Sequence, residues 1–305
     1  MPISLIITQA LNGLQLGVLL FLLAAGLTLV FGIMNFVNLA HGSLYMLGAY
    51  FAAAAFAKTN SFIVAVLVGS LGAAFVGFVV DRVALTKLYE RDHLDQVLAT
   101  FGLILFFNEL VRIIWGTGSV FTQVPDELSS TVEILGFNYP AYRFAIIGVG
   151  LAVAAGLWWL IQKTRIGMLI RAGASNAPMV SALGVNIKLL NTLVFALGAG
   201  LAGLAGAMAG PILSVQPGMG EPILILTLVV IIIGGLGSIR GALFGAVIVG
   251  VVDTLGRAFM PLIMRTMFDR NVADAAGPAL ASMLIYLLMA VVLAVRPQGL
   301  FPAQK

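Results

Sequence analysis

Long apolar runs, interrupted at a few polar joints, set the plan of this chain. Met1 to Ala57 contains no Asp, Glu, Lys or Arg. That is far more than the ~20 residues that cross a hydrocarbon layer as a helix. Asn35, Asn38, His41 and Gly42 cluster inside it, so the run divides into one span at 8–31 and a second at 42–57. A third span, 62–80, leads into the mixed-charge loop Asp81–Asp95, and a fourth covers 96–115. Gly116–Tyr142 is a long loop with Asp126, Glu127 and Glu133 and no Lys or Arg before the fifth span, 143–162. After the basic stretch Lys163–Lys188 comes a sixth span, 189–209. The segment 210–222 carries Pro211, Pro217 and Pro222 and cannot continue a helix. Ile223–Ile233 is short for a crossing and stops at Gly234-Gly235. Two more spans follow, 242–264 and 278–295, separated by the mixed loop Arg265–Gly277. The pattern predicts an all-α, polytopic membrane protein, a single transmembrane domain over 1–305. It has about eight or nine spans, with Ile223–Ile233 either crossing or re-entrant.

Lys163–Lys188 is the one long polar interruption in the second half, and its charges are all basic. On a helical wheel Ile166, Leu169, Ile170, Gly173, Ala177 and Val180 share one stripe, while Arg171 and Ser175 lie opposite. Pro178 splits the stretch into two short helices, 166–176 and 178–184, with Asn176 capping the second. An amphipathic element between spans has one side to bury and one to present to a cytosolic partner.

Basic loops stay in the cytoplasm. That places 163–188 inside and 116–142 outside. Counting spans both ways puts Asp81–Asp95, Arg240 and the closing tail with Arg296 and Lys305 inside, and the N-terminus outside. Lys58 and the Arg265–Asp274 region fall outside, against the rule. A re-entrant Ile223–Ile233 would flip the tail.

Composition agrees. The chain is 61% hydrophobic and 9% charged, with mean hydropathy +1.11, whereas soluble domains carry about a quarter charged residues. The isoelectric point near 9.6 reflects loop topology and not nucleic-acid binding. No basic region precedes the first apolar run, which outlasts a signal peptide, so the first span is expected to stay in the mature protein. Thirty-five glycines suit close helix approach in lipid. Gly198, Ala202, Gly206 and Gly210, and later Gly241, Gly245, Ala246 and Gly250, form packing ladders.

Two interrupted stretches are candidates for a solute path or gate. The first, 35–50, holds Asn35, Asn38, His41 and Gly42, which are costly in lipid unless they face protein or water. The rival reading is a tight hairpin whose polar groups cap helix ends, with His41 structural. The second, SVQPGMGEP, holds Gln216, Pro217, Gly218, Gly220 and Glu221 and resembles the broken helices that transporters place near their sites. Glu221 is placed to cap the run that follows. Glu109 and Arg112 at i, i+3, and Asp253 and Arg257 at i, i+4, can pair within spans. Paired, they are structural; a proton or ion relay is the alternative. There is no Walker loop, no HExxH and no GxSxG, and His41 and His93 lack neighbouring metal ligands. No catalysis, cofactor or metal is expected of the chain itself.

Several stretches in order, LNGLQLGVLLFLLAAGLTLVFGIMNFVNLAHGSLYMLGAY (11–50), RIGMLIRAGASNAPMVSALGVN (165–186), Pro217–Gly220, GGLGSIRGALFGA (234–246) and RPQGL (296–300), resemble permease subunits of bacterial ABC importers for branched-chain amino acids, H-type rather than M-type. The resemblance implies a second, related permease, two cytosolic ATPase subunits that use the ATP, and a periplasmic solute-binding protein, all meeting at the cytoplasmic membrane. It also implies that 165–186 is the ATPase coupling loop, with Arg165, Gly167, Arg171, Ala172, Leu183 and Gly184 at the family's positions. Asn176 stands near a position commonly acidic in the family, and Arg240 where a proline or neutral residue is usual. Related permeases carry urea, short amides and other amino acids. Outside the family, the rivals are an ion-coupled secondary transporter and a membrane scaffold.

Overall fold

The computed structural model describes residues 3–36, 38–89, 91–134 and 137–302. Lys305 of the basic tail, and Val37 inside the first interrupted stretch, lie outside the described residues.

Ten α-helices carry the fold: α1 Ile3–Met34, α2 His41–Thr59, α3 Phe62–Val83, α4 His93–Trp115, α5 Ala141–Lys163, α6 Arg165–Ala182, α7 Ile187–Ala209, α8 Gly220–Gly234, α9 Ile239–Met267 and α10 Arg270–Val295. Seven of them, α1, α3, α4, α5, α7, α9 and α10, are long and apolar enough to cross a membrane. α2 is diluted by His41, Ser43, two tyrosines and Lys58. α8 has 15 residues, ~22 Å at ~1.5 Å per residue, short of a ~30 Å hydrocarbon layer.

α1 and α7 occupy the middle and are the most buried spans. They touch at Gly26 and Gly198, where a Cβ on Gly26 would come 2.7 Å from the Gly198 carbonyl oxygen. α9 lies antiparallel along α1, since Gly13 meets Val251 while Gly32 meets Gly237. The predicted ladders are these seams: Gly206 abuts the Tyr45 carbonyl of α2, Gly245 the Val230 carbonyl of α8, and Gly250 the backbone at Gly13 and Gly17. Small residues let helix backbones touch where lipid supplies no hydrophobic drive between helices.

These contacts sort the joints to two ends of the bundle. One end gathers the C-terminus of α1, α6, the turn at 235–238 and the tail. There Gly173 lies beside Ile33, Leu300 donates its N–H to the Ile233 carbonyl at 2.8 Å, and Phe301 donates to Gly234 at 2.9 Å. The other end gathers the start of α1, the loop 116–140 and the end of α7, with Tyr139 donating to Asn12 at 3.2 Å and Tyr142 donating to the Met208 carbonyl at 2.8 Å. α8 therefore does not return to the side it came from. It completes a crossing that 210–219 begins.

Three expectations change in detail. The long loop contains an antiparallel hairpin, Thr131–Ile134 with Phe137–Pro140, the one sheet among the described residues of an otherwise helical chain. Arg265–Gly277 is not a loop: α9 runs to Met267 and α10 starts at Arg270, with Arg265 and Asp274 paired across the turn at 2.8 Å. Charge in that stretch marks helix ends leaving the apolar layer. Ile166 is not on the buried stripe and is 56% exposed.

Candidate solute path and coupling surface

α5 and α6 meet in an elbow at Thr164. Its hydroxyl accepts the Gly167 N–H at 3.1 Å and so caps α6. Gly167 presses on the Leu160 and Ile161 carbonyls with no room for a Cβ. Arg171 donates to the Ile161 carbonyl, one of the orphan oxygens in the last turn of α5. The basic side chain expected to face a partner thus also fastens the elbow. Asn176 breaks the helix at φ −155, ψ 86, and its Oδ1 accepts the Met179 N–H at 2.9 Å, the cap expected from Pro178 and the asparagine. The segment closes through exposed Leu183 and Gly184, the latter at φ 88, before Asn186 caps α7 at 3.0 Å.

Gly167, Ile170, Gly173 and Val180 are buried while Arg165, Arg171, Ser175 and Asn176 are exposed and Ala172 is half-buried. Ile166, Met179 and Leu183 are exposed beside them, Leu183 by 77%. The free face of this polar joint is a mixed basic and apolar surface, as protein-binding patches are.

The two interrupted stretches meet. Asn35 ends α1 at φ 49 and is exposed. Asn38 turns the chain by accepting the Ala40 N–H at 3.0 Å, and His41, 1% exposed, opens α2. Gly42 in the first turn of α2 and Gly220 at the start of α8 lie backbone to backbone, so that a Cβ on either would overlap the other's carbonyl. His41 packs against Gly26 of α1. Asn38 forms a turn ahead of α2, whose first turn has no side-chain cap. The N-terminal ends of two short helices, each aimed at the other, are also the arrangement that transporters use around a site.

The second stretch is tied to the long loop: Val120 and Val215 exchange both backbone hydrogen bonds, at 2.8 and 3.0 Å. Ser119 donates to Gln216 at 3.3 Å. Pro217 and Gly218, the latter at φ 86, bring the chain round to α8. Glu221 does not cap its own helix with its side chain; it accepts the Asn108 amide of α4 at 2.6 Å. Glu109–Arg112 pair at 2.6 Å and Asp253–Arg257 at 2.8 Å, as their spacing predicts. Asn108 and Ser119 carry no local signal, because they join the site through residues about a hundred positions away. Asp81, read as loop, is buried at the end of α3, with the Tyr89 hydroxyl donating to it and the Tyr89 ring edge-on to Phe36 at 5.5 Å.

Crossing helices, two of them broken where their polar ends meet, define a membrane permease. Residues 9–293 match the family described as branched-chain amino acid transport system / permease component, and the chain belongs to that family. It is 28% identical to the high-affinity branched-chain amino acid transport system permease protein BraD of Pseudomonas aeruginosa, over 96% of this chain and 94% of that one. It is equally 28% identical to LivH of Escherichia coli, of the same description, over 83% and 86%. A ribose import permease of Escherichia coli, RbsC, is similar at 26% over 76% and 72%.

Proposed function

We propose that this chain is a permease subunit of an ATP-driven importer and moves branched-chain or related hydrophobic amino acids inward across the bacterial inner membrane. Its position over nearly the full length of permeases named for that solute carries the reading. The exposed α6 elbow is the surface we assign to two cytosolic ATPase subunits, with Arg165, Gly167, Arg171, Ala172, Asn176, Leu183 and Gly184 forming or shaping it. The crossing of α2 and α8 is the assigned path, bounded by Asn35, Asn38, His41, Gly42, Gln216, Pro217, Gly218, Gly220 and Glu221. A second permease closes the path and a periplasmic protein delivers the solute. The N-terminus and the hairpin loop face that protein.

The mechanics follow from parts already described. ATP binding can bias a permease only through an element whose position differs between its two states. The elbow is capped at Thr164, close-packed at Gly167 and broken at Asn176. A push on it passes directly to α5 and α7.

The test is uptake into proteoliposomes holding this chain, a related permease, the ATPase subunits and a leucine-binding protein. Leucine accumulation should require ATP and survive ionophores. Accumulation by the chain alone, driven by an ion gradient, would refute the importer. The likeness to a ribose permease supports a second reading, a different solute on the same machine. Competition by ribose, urea or amides against labelled leucine separates the two.

A further inference from the structure

We infer that Glu221, together with Asn108, receives the ammonium group of the solute at the crossing of α2 and α8. This rests on the amino-acid reading above. Glu221 is half-buried in the first turn of α8, next to the Gly42–Gly220 contact. One carboxylate oxygen accepts the Asn108 Nδ2–H at 2.6 Å. The other rests against Gly218, where a Cβ would come within 3.2 Å of it. Asn108 Oδ1 is buried and has no hydrogen-bond partner among the described residues. It belongs to the same amide as the nitrogen bound to Glu221, so a carboxylate and an unmet amide oxygen belong to one hydrogen-bonded pair. Glu221 joins none of the three ion pairs among the described residues. A carboxylate and an amide oxygen are acceptors that suit a compact, positively charged group with several N–H donors, which is an ammonium. A metal ion fits less well, because hard cations of this kind gather six or more oxygens.

A capping role accounts for less. A carboxylate that caps its own helix accepts N–H groups of that helix's first turn, whereas the side chain of Glu221 reaches α4. The carboxylate side of the pair is partly open, Glu221 being half-buried. Gln216 and Pro222 beside it are exposed, and so are Glu109 and Arg112 one and four positions beyond Asn108. Charged side chains exposed within a span are costly against lipid, so the end of α4 that carries them borders water, headgroups or a partner subunit. A solute passing there offers its ammonium to Glu221 and Asn108 and its apolar side chain to the aliphatic wall of α8.

Glu221→Gln preserves shape and the Asn108 bond while removing the charge. In the complete reconstituted importer it should lower leucine uptake roughly ten- to hundredfold, the size of one hydrogen bond to a charged group. Binding-protein-stimulated ATP hydrolysis, which occurs on the partner subunits, should continue, so that leucine moved per ATP collapses. Wild-type uptake is measured first; a wild-type importer that moves no amino acid condemns the functional reading itself. Given wild-type uptake, a Glu221→Gln importer that transports normally overturns the ammonium site. Loss of uptake only in proportion to lost assembly or ATP hydrolysis also overturns it, in favour of a structural carboxylate. Wild-type uptake that fails when sodium is replaced by choline assigns the pocket to a metal ion instead.

Discussion

Single side chains decide how firmly the two working regions are held. Arg171 is basic and exposed, yet its guanidinium also binds the Ile161 carbonyl. Arg171→Glu should insert normally and fail to co-purify with the ATPase subunits, while Arg171→Lys keeps the charge but loses the planar fork and should bind weakly. Normal association and transport by the glutamate variant would refute the docking role. Asn176→Ala should weaken the second half of α6 by about 1 kcal/mol, read as lower ATP-dependent uptake with unchanged membrane levels; Asn176→Asp should restore it. Much at this scale is legible from sequence, because caps and i, i+3 or i, i+4 pairs join near neighbours: Asn176, Glu109–Arg112 and Asp253–Arg257 all sit as their spacing requires. Asn108 is not legible. Its partner lies on another helix, and no periodicity on α4 marks it.

At the scale of elements, apolar length dictates the spans, and helix ends fall within a few residues of the edges read from sequence, save that α10 starts at Arg270, eight residues before the edge at 278. What patterning cannot supply is which broken helix meets which. Gly42 and Gly220 each look like a small residue at a polar joint; only packing makes them one contact. Gly42→Val or Gly220→Val should separate α2 from α8 and abolish uptake, whereas Gly102→Ala, with open space around it, should be silent. If both classes behave alike in an uptake assay, the crossing is not essential. The chain has no cysteine, so single cysteines can be read against a clean background. Across 35–48, water-soluble thiol reagents should reach position 35 in the resting state and the buried positions from Asn38 onward only during turnover. Ile166 and the α9–α10 turn were misplaced for one reason: outside the apolar layer, hydrophobicity and charge no longer report which side of a helix is covered.

For the whole molecule, the sidedness we propose rests on charge. Arg82, Lys87, Lys163, Arg165, Arg171 and Arg240 share one end of the bundle with the tail, and the hairpin loop with its acids lies at the other. Under the positive-inside rule, alkaline phosphatase fused at position 128 should be active and at position 184 inactive; the reverse result inverts the proposed orientation. One contact at that basic end bears on how the protein is made. The last turn of α8 has its carbonyls at Ile233 and Gly234 satisfied by the N–H groups of Leu300 and Phe301. Those donors leave the ribosome only after α9 and α10 have been synthesised, several seconds later at ~5–20 residues per second. Until then that end of α8 is an unfinished helix in a nascent chain. The tail acts as a closing stitch, and a chain truncated before Leu300 would leave the Ile233 and Gly234 carbonyls without these donors.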